Sequence, residues 1–393
     1  MAKTLVVKQS TGDKIPFLRG ILVQSLVNAG LAFDDAYNLA QTIRNDLRET
    51  PEITSTELKK RVAGFLREHF GQDRCRAFEA VPQSKASIVV HTPTRSTPFS
   101  IGILAHSLEV CAIPPEMALR GARKVHATLL KLGHTEINHK PLRRIIYQCL
   151  REHCSAETAD RYLSWRKFEN AGEPLIVLIG GTTGSGKSTV SSDIAYRMDI
   201  GRIQSTDMMR EIIRSYLTPQ AVPTLSYSSF EAWRGLPSPS EDSPQQQDAP
   251  VVEGYLSQFT TLKPALEAAI ARAVQEKQDL IIEGIHVLPT KLELGEARDK
   301  AIVVPLMLAT MEQENLRKQL KRRGREKIDR KASRYLEHLD EIWELQSYLL
   351  DNADNANIPI ITNRHLEDTV REILNLISAK IMKRYPAHRD KSD

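Results

Sequence analysis

Eight consecutive residues, Gly181-Thr182-Thr183-Gly184-Ser185-Gly186-Lys187-Ser188, meet the G-x-x-x-x-G-K-[ST] pattern in full. The residue types dictate a chemistry. Glycines let the backbone curl until its N–H groups point at phosphate oxygens, and a helix starting at Thr189 turns its positive end the same way. Lys187 adds a mobile charge, and Ser188 offers a hydroxyl to Mg²⁺. The expected ligands are therefore ATP and Mg²⁺. Asp207, Arg210 and Arg214 follow at i, i+3 and i+7, which on a helix puts them on one side. A carboxylate there can orient an acceptor hydroxyl and take its proton, while two guanidiniums fork onto an anionic group. A helix-capping Asp beside two solvated arginines is the competing reading. Glu283 ends an apolar run, where an acid reaches a metal shell through water. His286 lies three residues on, within reach of the acceptor; the competing reading is structural, which is the commoner one for a lone histidine.

Residues 315–335 hold ten cations against Glu326 and Asp329. Nucleic acid is one reading of such a stretch. The other is a lid supplying arginines to a transferring phosphoryl group, for which Arg322, Arg323, Arg330 and Arg334 are the candidates. Gly324, in the middle, is expected to break the segment.

The elements that must position these groups can be read from periodicity. Pro174 to Gly180 reads as a buried parallel strand, 189–198 as a helix, and 203–207 as a short strand ending at Asp207. Helical patterns over 251–277, 336–351 and 366–383 alternate with strand-like runs at 279–283, 301–308 and 358–362. This is the pattern of an α/β unit with a doubly wound, mostly parallel sheet, in which ligands gather at the carboxyl ends of the strands. Tyr227 to Trp233 either closes over the acceptor or packs in the core, and the Pro-, Ser- and Gln-rich residues 236–248 form a loop.

At 393 residues the chain exceeds one ordinary core, so two or three domains are expected. Its 41% apolar and 26% charged residues are those of a soluble globular protein. No apolar run has the length of a bilayer span, and the start lacks a signal core. Cys75, Cys111, Cys149 and Cys154 show no C-x-x-C spacing, which suits reduced thiols in the cytoplasm.

The first half repeats itself. Pro16-Phe17 returns as Pro98-Phe99 and Gly20-Ile21-Leu22 as Gly102-Ile103-Leu104, at an offset of 82. After a two-residue insertion Leu66-Arg67-Glu68-His69 returns as Leu150-Arg151-Glu152-His153, at 84. Each unit reads as a strand-like start and three helices, the third capped by Thr54 or by Asn138. The first unit, with Val6-Val7-Lys8, Gly12 and Ile15-Pro16-Phe17, resembles an ATP-cone, the regulatory nucleotide-binding domain found at the front of ribonucleotide reductases. The resemblance implies that Lys8 and Gly12 touch nucleotide. In the second unit Val89-Val90-His91 stands in place of Val-Val-Lys, and the hairpin glycine is missing. The division expected is 1–80 and 87–168 for two mainly helical ATP-cone-like repeats, and 174–385 for a P-loop kinase domain.

The phosphate loop, Ser205-Thr206-Asp207 with Arg210 and Arg214, Ser228-Ser229-Phe230, Ile282 to Pro289, and Arg334-Tyr335 with Gln346 to Leu349 resemble the 2-phosphoglycerate kinase family. The resemblance implies ATP-dependent phosphorylation of 2-phosphoglycerate to 2,3-bisphosphoglycerate. Related plant domains are associated with inositol phosphate metabolism, so a kinase of another phosphorylated polyol is one alternative. An RNA-binding, nucleotide-regulated NTPase is another. The expected partner is a small anionic phosphorylated substrate rather than nucleic acid or a membrane, with homo-oligomerisation left open. The duplicated front and the 236–248 segment depart from the family pattern.

Overall fold

The computed structural model describes residues 4–7, 14–80, 88–93, 96–237, 250–326 and 332–387. The chain divides into two compact units, residues 1–167 with 381–393, and residues 168–380.

In the first unit one element order occurs twice. Strands β1 (Leu5–Val7) and β2 (Lys14–Pro16) lead into α1 (Arg19–Asn28), α2 (Phe33–Asp46), β3 (Glu52–Thr54), α3 (Ser55–Phe70) and α4 (Gln72–Ala80). Then come β4 (Val89–His91), β5 (Ser96–Pro98), α5 (Ile101–Val110), α6 (Pro115–Lys131), β6 (Glu136–Asn138), α7 (His139–His153) and α8 (Ala156–Ala171). Each repeat therefore has three strands and four helices, where periodicity alone suggests one strand and three helices. The additional strands are three residues each, too short to show an alternation. Thr54 caps α3 as expected, accepting from the Glu57 N–H at 3.1 Å; Asn138 occupies the cap position of α7 without a side-chain bond.

Register corrects one alignment. Val7 faces Lys14 across the first hairpin and His91 faces Ser96 across the second, so His91 takes the place of Val7 and not of Lys8. The shift between the repeats is thus not confined to one loop. The two repeats pack through α1 and α5. A Cβ at Gly20 would lie 2.7 Å from the Gly102 carbonyl oxygen, and one at Gly102 would lie 2.4 Å from Ile21 Cα. Only glycine permits backbones so close. Beside this crossing the nearly buried Arg19 donates to Glu109 and to Gln41, each at 2.8 Å, and lies over the Tyr37 ring.

The second unit is built on five parallel strands: β7 (Leu175–Gly180), β8 (Ile203–Ser205), β9 (Leu280–Glu283), β10 (Ile302–Ala309) and β11 (Ile360–Thr362), in the order β11-β10-β7-β9-β8. Central β7 is buried at every residue, as an uninterrupted apolar run requires. Strand order reverses at β7, and the crevice at that reversal lies outside its carboxyl end. The helices are α9 (Lys187–Met198), α10 (Thr206–Tyr216), α11 (Pro250–Glu276), α12 (Ala297–Lys300), α13 (Gln313–Glu326), α14 (Ala332–Glu337), α15 (Leu339–Asn355) and α16 (Leu366–Arg384).

Three local expectations are corrected. Strand β8 ends at Ser205, so Asp207 sits in the first turn of α10, where a carboxylate is favoured by the helix dipole. Helix α13 runs through Gly324 to Glu326, because Leu316 and Leu320 anchor it in the core upstream of the glycine. The expected helix over 336–351 is two, parted at His338, whose ring bonds Glu231 and Glu341.

Candidate active site

The phosphate loop joins β7 to α9 at the reversal point. Gly181, Gly184 and Gly186 have φ of 134°, 92° and 85°, values that residues with a Cβ rarely adopt. Other elements close on the loop from outside it. Asn363, after β11, donates to the Ser185 carbonyl at 2.9 Å. Gln346 of α15 accepts from the Thr182 hydroxyl and the Thr310 N–H, each at 3.3 Å, and donates to the Thr310 carbonyl at 2.9 Å. Ser185 Oγ donates to the Thr182 carbonyl at 2.9 Å. The Lys187 ammonium is nearly buried and donates to the Thr182 carbonyl at 2.6 Å. Ser188 Oγ donates to Glu283 Oε1 at 3.0 Å, so the two expected metal residues meet. Thr183 and Thr189 complete the stretch, half-buried and exposed.

A cleft of about 260 Å³ opens beside the loop, lined by Thr310, Asn315, Lys318, Thr362, Asn363 and Arg364 among others. Its walls come from the ends of β10 and β11 and from α13.

Helix α10 follows the edge strand β8. Asp207 is exposed, and Arg210 and Arg214 both pair with Glu211 between them. Arg210 also donates to the Tyr227 carbonyl. His286, weighed from the sequence both as an acceptor contact and as a structural ring, is 1% exposed. Burial above all holds its pKa down, to about 4; Asp207 acts the other way, and Arg210 and Lys187 reinforce the depression. The loop lysine, the α10 carboxylate and an α10 arginine thus share one electrostatic neighbourhood with this ring.

Of the lid candidates, Arg322 and Arg323 lie in the last turns of α13, and Arg330 lies outside the described residues, as do Lys8 and Gly12. Arg334 is tied to the buried Glu231, which also takes Arg234 at 3.1 Å and His338 at 3.3 Å. Phe230 packs in the core against Tyr335 and His338, as the core reading of 227–233 expects, while Trp233 is 36% exposed. Asn363 was not legible as a site residue, and Glu231 and Gln346 only as members of longer stretches: each acts across more than a hundred positions or through backbone groups, which no local spacing encodes.

A glycine loop at the centre of a parallel sheet, with an acid at the end of the neighbouring strand, defines a nucleotide-binding protein of the P-loop class. Residues 159–231 match the Zeta toxin family. Relatives named 2-phosphoglycerate kinase align along most of the chain. That of Pyrococcus horikoshii is 39% identical over 287 residues, 72% of this chain and 91% of the relative. Those of Pyrococcus furiosus (36% over 283 residues, 72% and 90%) and Methanopyrus kandleri (35% over 288, 73% and 85%) are comparable. The chain belongs to the 2-phosphoglycerate kinase family.

Proposed function

We propose that the protein transfers the γ-phosphoryl group of ATP to the hydroxyl of 2-phosphoglycerate, giving 2,3-bisphosphoglycerate and ADP. The observation that carries this is the alignment of the chain over most of its length with 2-phosphoglycerate kinases; the shared electrostatic neighbourhood of Lys187, Asp207 and Arg210 around His286 supports it. The residues Gly181 to Thr189 cradle the triphosphate, and Lys187 exchanges the Thr182 carbonyl for phosphate oxygens. The cleft beside Asn363 takes the base. Asp207 orients the acceptor hydroxyl and receives its proton. Arg210 and Arg214 leave Glu211 for the phosphate that the acceptor already carries, a charge-assisted fork on an anion of twice the charge. Arg322, Arg323, Arg330 and Arg334 neutralise the group in transit.

The hard oxygen pair Ser188 and Glu283 fits Mg²⁺. Among the described residues no cluster of three or more acidic, His or Cys side chains forms a self-sufficient metal cage, which suits an ion held largely by phosphate and water. When bound, that ion neutralises charge on the β- and γ-phosphates.

We further read the chain as three domains, 1–80, 87–168 and 174–385, the first two ATP-cone-like. The repeated element order supports this, as does the Pyrococcus horikoshii relative, which is shorter than this chain by about one repeat. Lys8 and Gly12 would contact a regulatory nucleotide. A cytoplasmic setting agrees with the lack, among described residues, of a helix long and apolar enough to cross a membrane.

Incubation with Mg·ATP and a panel of phosphorylated hydroxy acids and polyols, followed by phosphorus NMR, tests the reading. A new ester signal matching 2,3-bisphosphoglycerate is expected. Product from inositol phosphates alone would overturn the acceptor, and ADP release with no acceptor dependence would overturn the kinase reaction.

A further inference from the structure

Three buried side-chain polar atoms on the acceptor side make no hydrogen bond: Thr206 Oγ1, Arg210 Nε and His286 Nδ1. Native structures leave few such atoms, and a ligand is one standard reason. Thr206 and Arg210 stand one turn apart on α10. The Thr206 hydroxyl lies so close to Gly284 that a Cβ there would come within 1.8 Å of it, and His286 follows two residues later. The three atoms therefore belong to the contact of the first turns of α10 with the chain leaving β9.

The chemistry offered by His286 can be derived from its neighbour. Gln258 of α11 is fully buried, and its Nε2 lies 2.6 Å from the Thr224 carbonyl oxygen and 3.0 Å from that of Tyr227. Carbonyl oxygens only accept, so that atom is the amide nitrogen and the amide oxygen is the one 3.0 Å from His286 Nε2. An amide oxygen also only accepts. Nε2 of His286 therefore carries a hydrogen, and since burial keeps the ring neutral, Nδ1 holds a bare lone pair. Tyr255, stacked on the ring at 5.7 Å and donating to the Ile285 carbonyl at 2.9 Å, fixes its plane.

The geometry points to Nδ1 of His286 as the acceptor of the hydrogen bond from the substrate hydroxyl in the bound ground state, the single proton turning to Asp207 only as it is given up in transfer, with Gln258 as the positioning residue that sets the tautomer. This deepens the kinase reading and rests on it. A neutral nitrogen lone pair receives a hydroxyl and repels a phosphate or carboxylate oxygen, which are left to Arg210 and Arg214. The substrate class selected is an alcohol beside an anionic group. Nδ1 is closed off from solvent, but Thr206 is the one buried side chain of α10, and Met208, Ile212 and Tyr216 are exposed. Displacing the first turn of α10 thus costs little apolar burial.

The test begins with the ligand-free full chain labelled with ¹⁵N-histidine, using long-range proton–nitrogen correlation at neutral pH and assigning the ring by its loss in His286→Gln. A neutral Nε2–H tautomer is expected, with the Nδ1 resonance moving on addition of 2-phosphoglycerate and not of inorganic phosphate. An Nδ1–H tautomer or a charged ring overturns the assignment. In turnover, His286→Gln keeps an amide nitrogen for Gln258 and removes the Nδ1 acceptor. We expect kcat/KM for the acceptor to fall about 10²-fold or more, with KM for ATP and the thermal midpoint unchanged. His286→Asn, which returns an oxygen near the Nδ1 position, recovers part of the loss. Wild-type kcat/KM in His286→Gln overturns the proposal. Absence of turnover by the unaltered protein with 2-phosphoglycerate would instead sink the acceptor named above, and the tautomer still decides the role of His286.

Discussion

At the phosphate loop, Lys187 and Glu283 are 9% and 6% exposed, and the amides of Gln346 and Asn363 brace the Thr182 hydroxyl and the Ser185 carbonyl from two other segments. On the α10 side, the Arg214 side chain is 49% exposed, both arginines are occupied by Glu211, and three polar atoms lack partners. The donor half is assembled before a ligand arrives, because a loop of glycines needs outside bonds to hold any one shape. In the reaction we propose, the acceptor half is held by polar contacts, those of Arg210 and Arg214 with Glu211, that a substrate phosphate replaces. A binding site of this kind confines its reorganisation to the ligand that has to be discriminated.

Substitutions on the two sides should break in different ways. Lys187→Ala is expected to lower ADP production by about 10²–10³-fold, measured with a coupled assay; a residual rate within tenfold of the parent would break the contrast. For Asp207→Asn, turnover falls about 10²-fold while calorimetry finds ATP affinity retained, and unchanged turnover would remove Asp207 from the chemistry. His286 ties pH to stability. Its folded pKa of about 4 lies below the ordinary 6.5, so the unfolded chain binds the proton first and stability is lost as pH falls from 6.5 towards 4. The loss attributable to this ring is on the order of 3 kcal/mol, and denaturant titrations of His286→Gln across that window should show a flatter profile. Asp207, Arg210 and Lys187 face the ring from α10 and the loop, so their variants shift the window. Glu231→Gln strips the charge from the site shared by Arg334, Arg234 and His338, and should cost about 1–3 kcal/mol, read as a lower urea midpoint. Ile212→Ser, on the exposed face of α10, should change stability by less than about 0.5 kcal/mol. A larger loss would mean that this face is covered.

Much of the donor half was legible because its parts are contiguous: one strand, eight residues and one helix stand in the order that phosphate binding requires. That Arg210 and Arg214 lie on one helix was legible through their spacing, whereas Asp207 was placed at a strand end and sits in the first turn of that helix, since a Ser-Thr-Asp sequence suits a strand end and a helix start alike. Glu231, Gln258 and Asn363 gave no signal of their own. A buried amide or acid in a loop looks like any other polar residue until the backbone groups it serves are known. His286 was seen and its role left open, because a histidine in isolation carries no statement of its tautomer or neighbours.

In the front unit, duplicated identities at offsets of 82 and 84 were enough to establish a repeat, since homology survives in sequence even where no structure is assigned. Which residues correspond was settled by the hairpin register that puts His91 opposite Ser96. In the kinase unit the sequence determined the loop, the alternation of strands and helices, and hence the crevice at the strand ends, because these depend on local periodicity and backbone freedom. Tertiary structure alone decided which amides close that loop, that Arg334 meets Glu231, and that Gln258 leaves a lone pair on His286. Those are pairings between distant segments, and the energy of a hydrogen bond belongs to the partner as much as to the residue that carries it.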